Sequence, residues 1–119
     1  RDFARQYSYI HQLVIRNHCR CYLIMLTMES TGKTSPSIEK AEQALLQMEE
    51  IIRKSIRKID ICTRYSSMQY LILLFQPLES AIPNIMDRIF MQYESLDCSK
   101  EFHPIYDYQA MSEEEHKKY

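Results

Sequence analysis

Apolar positions recur along the chain with two periods, one near 3.6 residues and one near 2, and they divide it into helices and strands. Over residues 3–15, Phe3, Tyr7, Ile10, Leu13 and Val14 return at helical intervals and predict an opening helix. Residues 20–28 form a nearly unbroken apolar run through Cys21, Tyr22, Leu23, Ile24, Met25 and Leu26, which predicts a central strand buried on both faces. Ser, Thr, Lys, the single Gly32 and Pro36 then make a loop, with Ser35 expected as the cap and Pro36 as the first residue of the next helix. That helix is predicted over 37–57, with Ile38, Ala41, Leu45, Met48, Ile52 and Ser55 on one stripe. Residues 59–65 and 70–75 read as two strands joined by the polar turn Ser66-Ser67-Met68-Gln69, an antiparallel hairpin without glycine. Leu78, Ile82, Ile85, Met86, Ile89 and Tyr93 make a further helical stripe, in which Pro83 is tolerable only within the first turn. Residues 102–108 are a last strand, confined to a sheet edge by Pro104. Residues 1–108 are therefore expected to form one domain, and 109–119 a charged tail.

Without its opening helix the order is strand, helix, strand, strand, helix, strand. Two β-α-β halves with right-handed crossovers predict an α+β fold of the ferredoxin-like kind, βαββαβ, with both helices packed on one antiparallel sheet. Many functions share that arrangement, so the site must decide.

Composition narrows the choice. The chain has 119 residues, 45% of them hydrophobic and 26% charged, the composition of a folded single domain. Its net charge of −1 exerts no general pull on nucleic acid or an anionic membrane, so an anionic ligand needs a local cationic cluster. The longest apolar run is far short of the ~20 residues of a membrane-spanning helix, and no leader is visible, so a cytoplasmic location is expected without membrane insertion. The first residue is Arg1, as expected of a piece of a longer protein. Cys19, Cys21, Cys62 and Cys98 are expected to be free thiols, because a core of this size needs no disulfide staple. His18-Cys19-Arg20-Cys21 lacks a second ligand pair at a metal-site spacing.

The segment from Arg57 to Tyr70 resembles the signature of the GGDEF, or diguanylate cyclase, family, in which R-x-x-D precedes a strand ending in R-Y/L and the G-G-D/E-E-F hairpin. Here the hairpin reads Ser66-Ser67-Met68-Gln69-Tyr70. The opening helix, the strand at 22–28, the next helix, the hairpin and the helix around Arg88 follow the family's order, but its closing A-D-x-A-L-Y-x-A-K helix has no counterpart. Active members join two GTP molecules into cyclic di-GMP, using metal-binding carboxylates and hairpin glycines that let the backbone approach a triphosphate. In this chain Ser66 and Ser67 replace those glycines, Met68 replaces the acidic metal ligand, and Gln69 replaces the adjacent acid. The D-x-D at the end of the central strand reads Thr27-Met28-Glu29, keeping a carboxylate only at its second position. A thioether is a poor ligand for a hard cation. The resemblance thus implies a degenerate, catalytically inactive domain with no catalytic residues, no metal ligands and no cofactor, working as a regulatory or interaction module of a bacterial signalling protein.

Arg57-x-x-Asp60 matches the family's inhibitory motif, which binds cyclic di-GMP. An ungapped count from Ser66 places Arg88 where related proteins add a second arginine. The resemblance therefore implies Arg57, Asp60 and Arg88 as ligand-binding residues. Guanidinium groups offer planar forks to phosphates and base edges, and a carboxylate accepts from a guanine N–H. Asp60 has an alternative reading as a strand-start residue paired with Arg57 or Arg64 for structure alone. Implied partners are cyclic di-GMP, other domains of the same signalling protein and a second copy of the chain. Two rival readings stay open: residual cyclase activity using Glu29 and a relocated metal ligand, and an unrelated ferredoxin-like domain, which a sheet order other than 4-1-3-2 would favour.

Overall fold

The computed structural model describes residues 5, 8, 9, 11, 12, 20–33 and 35–111. Arg5, Ser8, Tyr9, His11 and Gln12 are helical; the rest of the predicted opening helix, Cys19 and residues 112–119 of the tail lie outside the described residues. From there the order is β1 (Cys21–Ser30), α1 (Ile38–Ser55), β2 (Ile61–Ser66), β3 (Gln69–Phe75), α2 (Ala81–Glu94), a 3₁₀ turn (Asp97–Lys100) and β4 (Phe102–Met111). The four strands form one antiparallel sheet in the order β2-β3-β1-β4. This is the expected ferredoxin-like neighbour order, so the sheet does not favour the rival reading of an unrelated domain.

Period-two alternation decides where the core lies. Tyr22, Ile24, Leu26 and Met28 of β1 and Tyr70, Ile72 and Leu74 of β3 are buried on the face that receives the helices. Ala44, Leu45, Met48 and Ile52 of α1 and Ile82, Met86, Ile89 and Tyr93 of α2 close the core over them. Each Leu or Ile sealed there is worth about 1.5–3 kcal/mol. A smaller apolar cluster of Cys21, Leu73 and Met111 occupies the other face. Burial on both faces belongs to β3, where residues 70–74 are all buried, rather than to β1, whose Leu23, Met25 and Thr27 are half-buried because α1 and α2 both cover the opposite face.

Several boundaries differ from the expectation. The cap of α1 is Ser37, not Ser35: its hydroxyl accepts from Lys40 N at 3.1 Å, leaving Pro36 outside the helix. Helix α1 ends at Ser55, two residues before the expected Arg57, and Ile38 lies on its exposed side. Leu78 belongs to the loop before α2, and Pro83 sits in that helix's first turn, where its missing N–H has no acceptor to lose. β4 is an edge strand as Pro104 requires, but it continues to Met111, three residues past the expected end, because Met111 is buried opposite Cys21.

Candidate functional site

At one end of the β2–β3 hairpin the chain turns tightly through Ser67 and Met68, with a bulge between Arg64 and Ser66. Arg64 braces this turn. It donates to the carbonyls of Ser66 (3.1 Å) and Ser67 (3.3 Å), pairs with Glu42 of α1 at 2.8 Å and lies 5.5 Å from the centre of the Tyr70 ring. The Arg64 hydrogen bond and charge hold the Glu42 carboxyl below its ordinary value. Tyr70, the last residue of the signature hairpin, is fully buried and donates towards the Leu45 carbonyl (2.8 Å) and Glu49 (3.1 Å). Burial and the nearby Glu49 charge push its phenol far above the usual range.

The residues that the sequence resemblance sets against the family's metal ligands lie beside this turn. Thr27 is opposite Gln69 in the β1–β3 register. Gln69 donates from Nε2 to Thr27 Oγ1 at 3.0 Å and accepts from Ser66 Oγ at 2.9 Å. The Met68 carbonyl accepts from Met28 N at 2.8 Å, and the Met68 side chain packs against the core. Glu29 is exposed one residue from the end of β1, paired in register with His103 of β4. Among the described residues, no three His, Cys, Asp or Glu side chains gather as a group able to hold a metal ion.

The opposite end of the hairpin carries a different chemistry. A groove of about 370 Å³ opens between the end of α1, the end of β3 and the start of α2. Ile56, Leu74, Leu78, Ala81 and Ile85 give it apolar walls, and Arg57, Asp60 and Arg88 all line it. The three residues singled out in the sequence therefore converge in space. Asp60 is the fixed member, its side chain 2% exposed. Its Oδ2 accepts from Arg57 N (2.9 Å) and Arg57 Nε (3.2 Å), and its Oδ1 from Arg57 Nη2 (3.2 Å) and Phe75 N (3.1 Å). The partner of Asp60 is thus Arg57, and Arg64 is taken by Glu42 instead. Arg57 Nη2 also donates to the Phe75 carbonyl, which ties the α1–β2 connection to the end of β3. Nothing among the described residues bonds Nη1 of Arg57, and Arg88 is exposed with no hydrogen-bond or ion-pair partner among them.

Sequence reasoning missed Gln76, which follows β3 and lines the same groove. Its backbone is left-handed, with φ of 54°, and its N–H donates to the Arg20 carbonyl at 2.7 Å. The only available signal was the Gln-Pro step after an apolar run, a turn mark without any chemical content. The Arg64–Glu42 brace was missed too, since 22 residues separate the partners and no local spacing reports such a pair.

No protein-family model matches the chain, and no curated protein matches it significantly. Solved structures do. A DGC protein from Thermotoga maritima matches with a TM-score of 0.70 at 22% identity, over 91% of this chain and 76% of that one. The GGDEF domain of DgcB from Caulobacter crescentus, in complex with c-di-GMP, matches with a TM-score of 0.72 at 8% identity, over 97% and 74%. The diguanylate cyclase SiaD from Pseudomonas aeruginosa, in complex with its activator SiaC, gives a TM-score of 0.62 at 13% identity, over 89% of this chain and 43% of that one. The chain therefore has the fold of the GGDEF diguanylate cyclase domains.

Proposed function

We propose that this chain is a catalytically inactive GGDEF-like regulatory module of a bacterial signalling protein, and that it senses cyclic di-GMP in the groove lined by Arg57, Asp60 and Arg88. The observation that carries the reading is the convergence of two arginines from different elements on one apolar-walled groove. Apolar walls suit the flat faces of purine bases, and the guanidinium groups suit phosphate oxygens. Asp60 takes one side of Arg57 and so fixes how that guanidinium is presented. The Caulobacter GGDEF domain of the same fold is bound to c-di-GMP, which supports this class of ligand.

Loss of catalysis is supported by the donor set at the hairpin. A divalent cation bridging phosphates needs hard, anionic oxygen ligands. Thr27 offers a hydroxyl already engaged by an amide N–H, and Met68 offers a thioether turned to the core. These residues do not fit Mg²⁺ or Mn²⁺, and no step through a metal is assigned to them. The Cβ atoms of Ser66 and Ser67 also stand where the family's glycines leave the backbone bare.

The module would transmit the ligand state to other domains of its protein or to a second copy; SiaD, of the same fold, works with a protein activator. A receptor for a GTP-derived signal belongs in the cytoplasm, and no helix among the described residues is long and apolar enough to cross a membrane. Calorimetric titration with cyclic di-GMP tests the reading. Saturable binding by the wild type, weakened in Arg88→Ala without loss of thermal stability, is the expected result. Absence of heat at high micromolar ligand overturns it.

A further inference from the structure

The loop between β3 and α2, residues 76–80, supplies one wall of the groove through Pro77 and Leu78, yet little of it is anchored. Leu78 is 76% exposed, so its side chain gains little from the core. Ser80 stands at the N-cap of α2 in helical conformation and makes no capping hydrogen bond, so the usual device that fixes a helix entry is missing. Backbone bonds hold the ends of the loop: Gln76 N donates to the Arg20 carbonyl at 2.7 Å, and Ala81 N and Ile82 N donate to the carbonyls of Leu78 (2.9 Å) and Glu79 (3.1 Å). Among the described residues, Glu79 is the one side chain of residues 76–80 that makes a hydrogen bond. The Tyr22 hydroxyl of β1 donates to its Oε1 at 3.3 Å, and the Tyr108 hydroxyl of β4 to its Oε2 at 3.2 Å. None of these three residues lines the groove.

Both phenols are fixed by the sheet. Tyr22 is buried and its ring meets that of Tyr108 edge-on, with centroids 6.1 Å apart, while Tyr108 stacks on Tyr106. Hydrogen bonds to a carboxylate are charge-assisted and stronger than neutral ones. By accepting from it, Glu79 raises the Tyr108 phenol above its ordinary value, which keeps that donor protonated beyond neutrality.

We propose that Glu79 is a positioning residue: its clamp on Tyr22 and Tyr108 straps the 76–80 loop to the sheet and holds the Pro77–Leu78 wall where a ligand of the groove needs it. The effect on affinity rests on the cyclic di-GMP reading above, whereas the strap rests on the geometry of the loop alone. Glu79 touches no ligand and acts through the loop. By linkage, a strap that favours the binding-competent wall is itself tightened by the ligand, and displacement of Tyr108 on β4 lowers the affinity of the groove.

Hydrogen exchange and calorimetry on the same proteins test the strap and its effect. Exchange at the amides of Ala81 and Ile82, which are bonded back into the loop, reads how firmly the loop is held. Glu79→Ala is expected to speed that exchange about tenfold, with the amides between β1 and β3 unchanged, and to weaken cyclic di-GMP about fivefold. Tyr108→Phe keeps the ring and removes one donor, so it is expected to fall between wild type and Glu79→Ala in both readouts, and it serves where alanine disturbs folding. Exchange as slow in both variants as in wild type overturns the strap. Faster exchange with unchanged cyclic di-GMP affinity overturns the link from loop to groove. A wild type that binds no cyclic di-GMP removes the sensing function and that link with it, while exchange still decides the strap.

Discussion

Gln69 donates from Nε2 to Thr27 Oγ1 across 3.0 Å, joining the last hairpin turn to the central strand by a neutral hydrogen bond. A carboxylate at either position would present negative charge to the same space, and a cation would stabilise it. The neutral pair needs no ion. The double replacement Thr27→Asp with Gln69→Glu is expected to create a Mn²⁺ site that gives a measurable heat of binding, where the wild type gives none. Equal heats from both proteins would show that the residues at the hairpin are not what decides metal binding.

Asp60 is expected to behave as a buried structural anion rather than as a surface ion pair. Asp60→Ala strands Phe75 N–H and releases Arg57, so urea denaturation should report a loss of about 2–4 kcal/mol. A loss within the ~0–1 kcal/mol of exposed pairs would contradict the observed burial.

The Arg64–Glu42 brace carries a pH dependence of definite sign. Arg64 depresses the folded-state pKa of Glu42 below its ordinary 4.5, so the pair's contribution is complete above that value and is lost as pH falls through the depressed one. The stability difference between wild type and Glu42→Gln should therefore be constant near neutrality and vanish in acid. A difference that grows on acidification would reverse the assigned sign.

The thiols should separate by reactivity. Burial pushes the Cys62 thiol up to about 11, whereas Cys98 is only half-buried, its Sγ 3.0 Å from Gln47 Oε1. Brief alkylation of native protein near pH 8, mapped by mass spectrometry, should label Cys98 well ahead of Cys62, and denaturant should abolish the difference. Equal native rates would mean that β2 does not pack as described.

The fold was legible because its signals are local or periodic. Pro104 marked an edge strand, Pro83 marked a first turn, and the stripes through Met48 and Met86 marked the faces that meet the sheet. Errors gathered where tertiary packing overrides local chemistry. Ser35 and Ser37 are equally good caps in isolation, and the hydrogen bond from Lys40 N that marks Ser37 as the cap is not displayed by the sequence. Met111 lies in a segment whose following residues read as solvated tail, and its burial opposite Cys21 extends β4. Of the groove, Arg57, Asp60 and Arg88 were visible through motif and spacing. Gln76 was not, because its place in the groove depends on a left-handed backbone that sequence does not display.

Incubation with GTP and Mg²⁺ or Mn²⁺, followed by chromatography of the nucleotides, tests the proposed loss of cyclase chemistry most directly. Recovery of GTP alone is the predicted result. Time-dependent accumulation of pppGpG or cyclic di-GMP, abolished by Glu29→Gln, would contradict it and would show that the remaining carboxylate on β1 still serves a metal-dependent reaction.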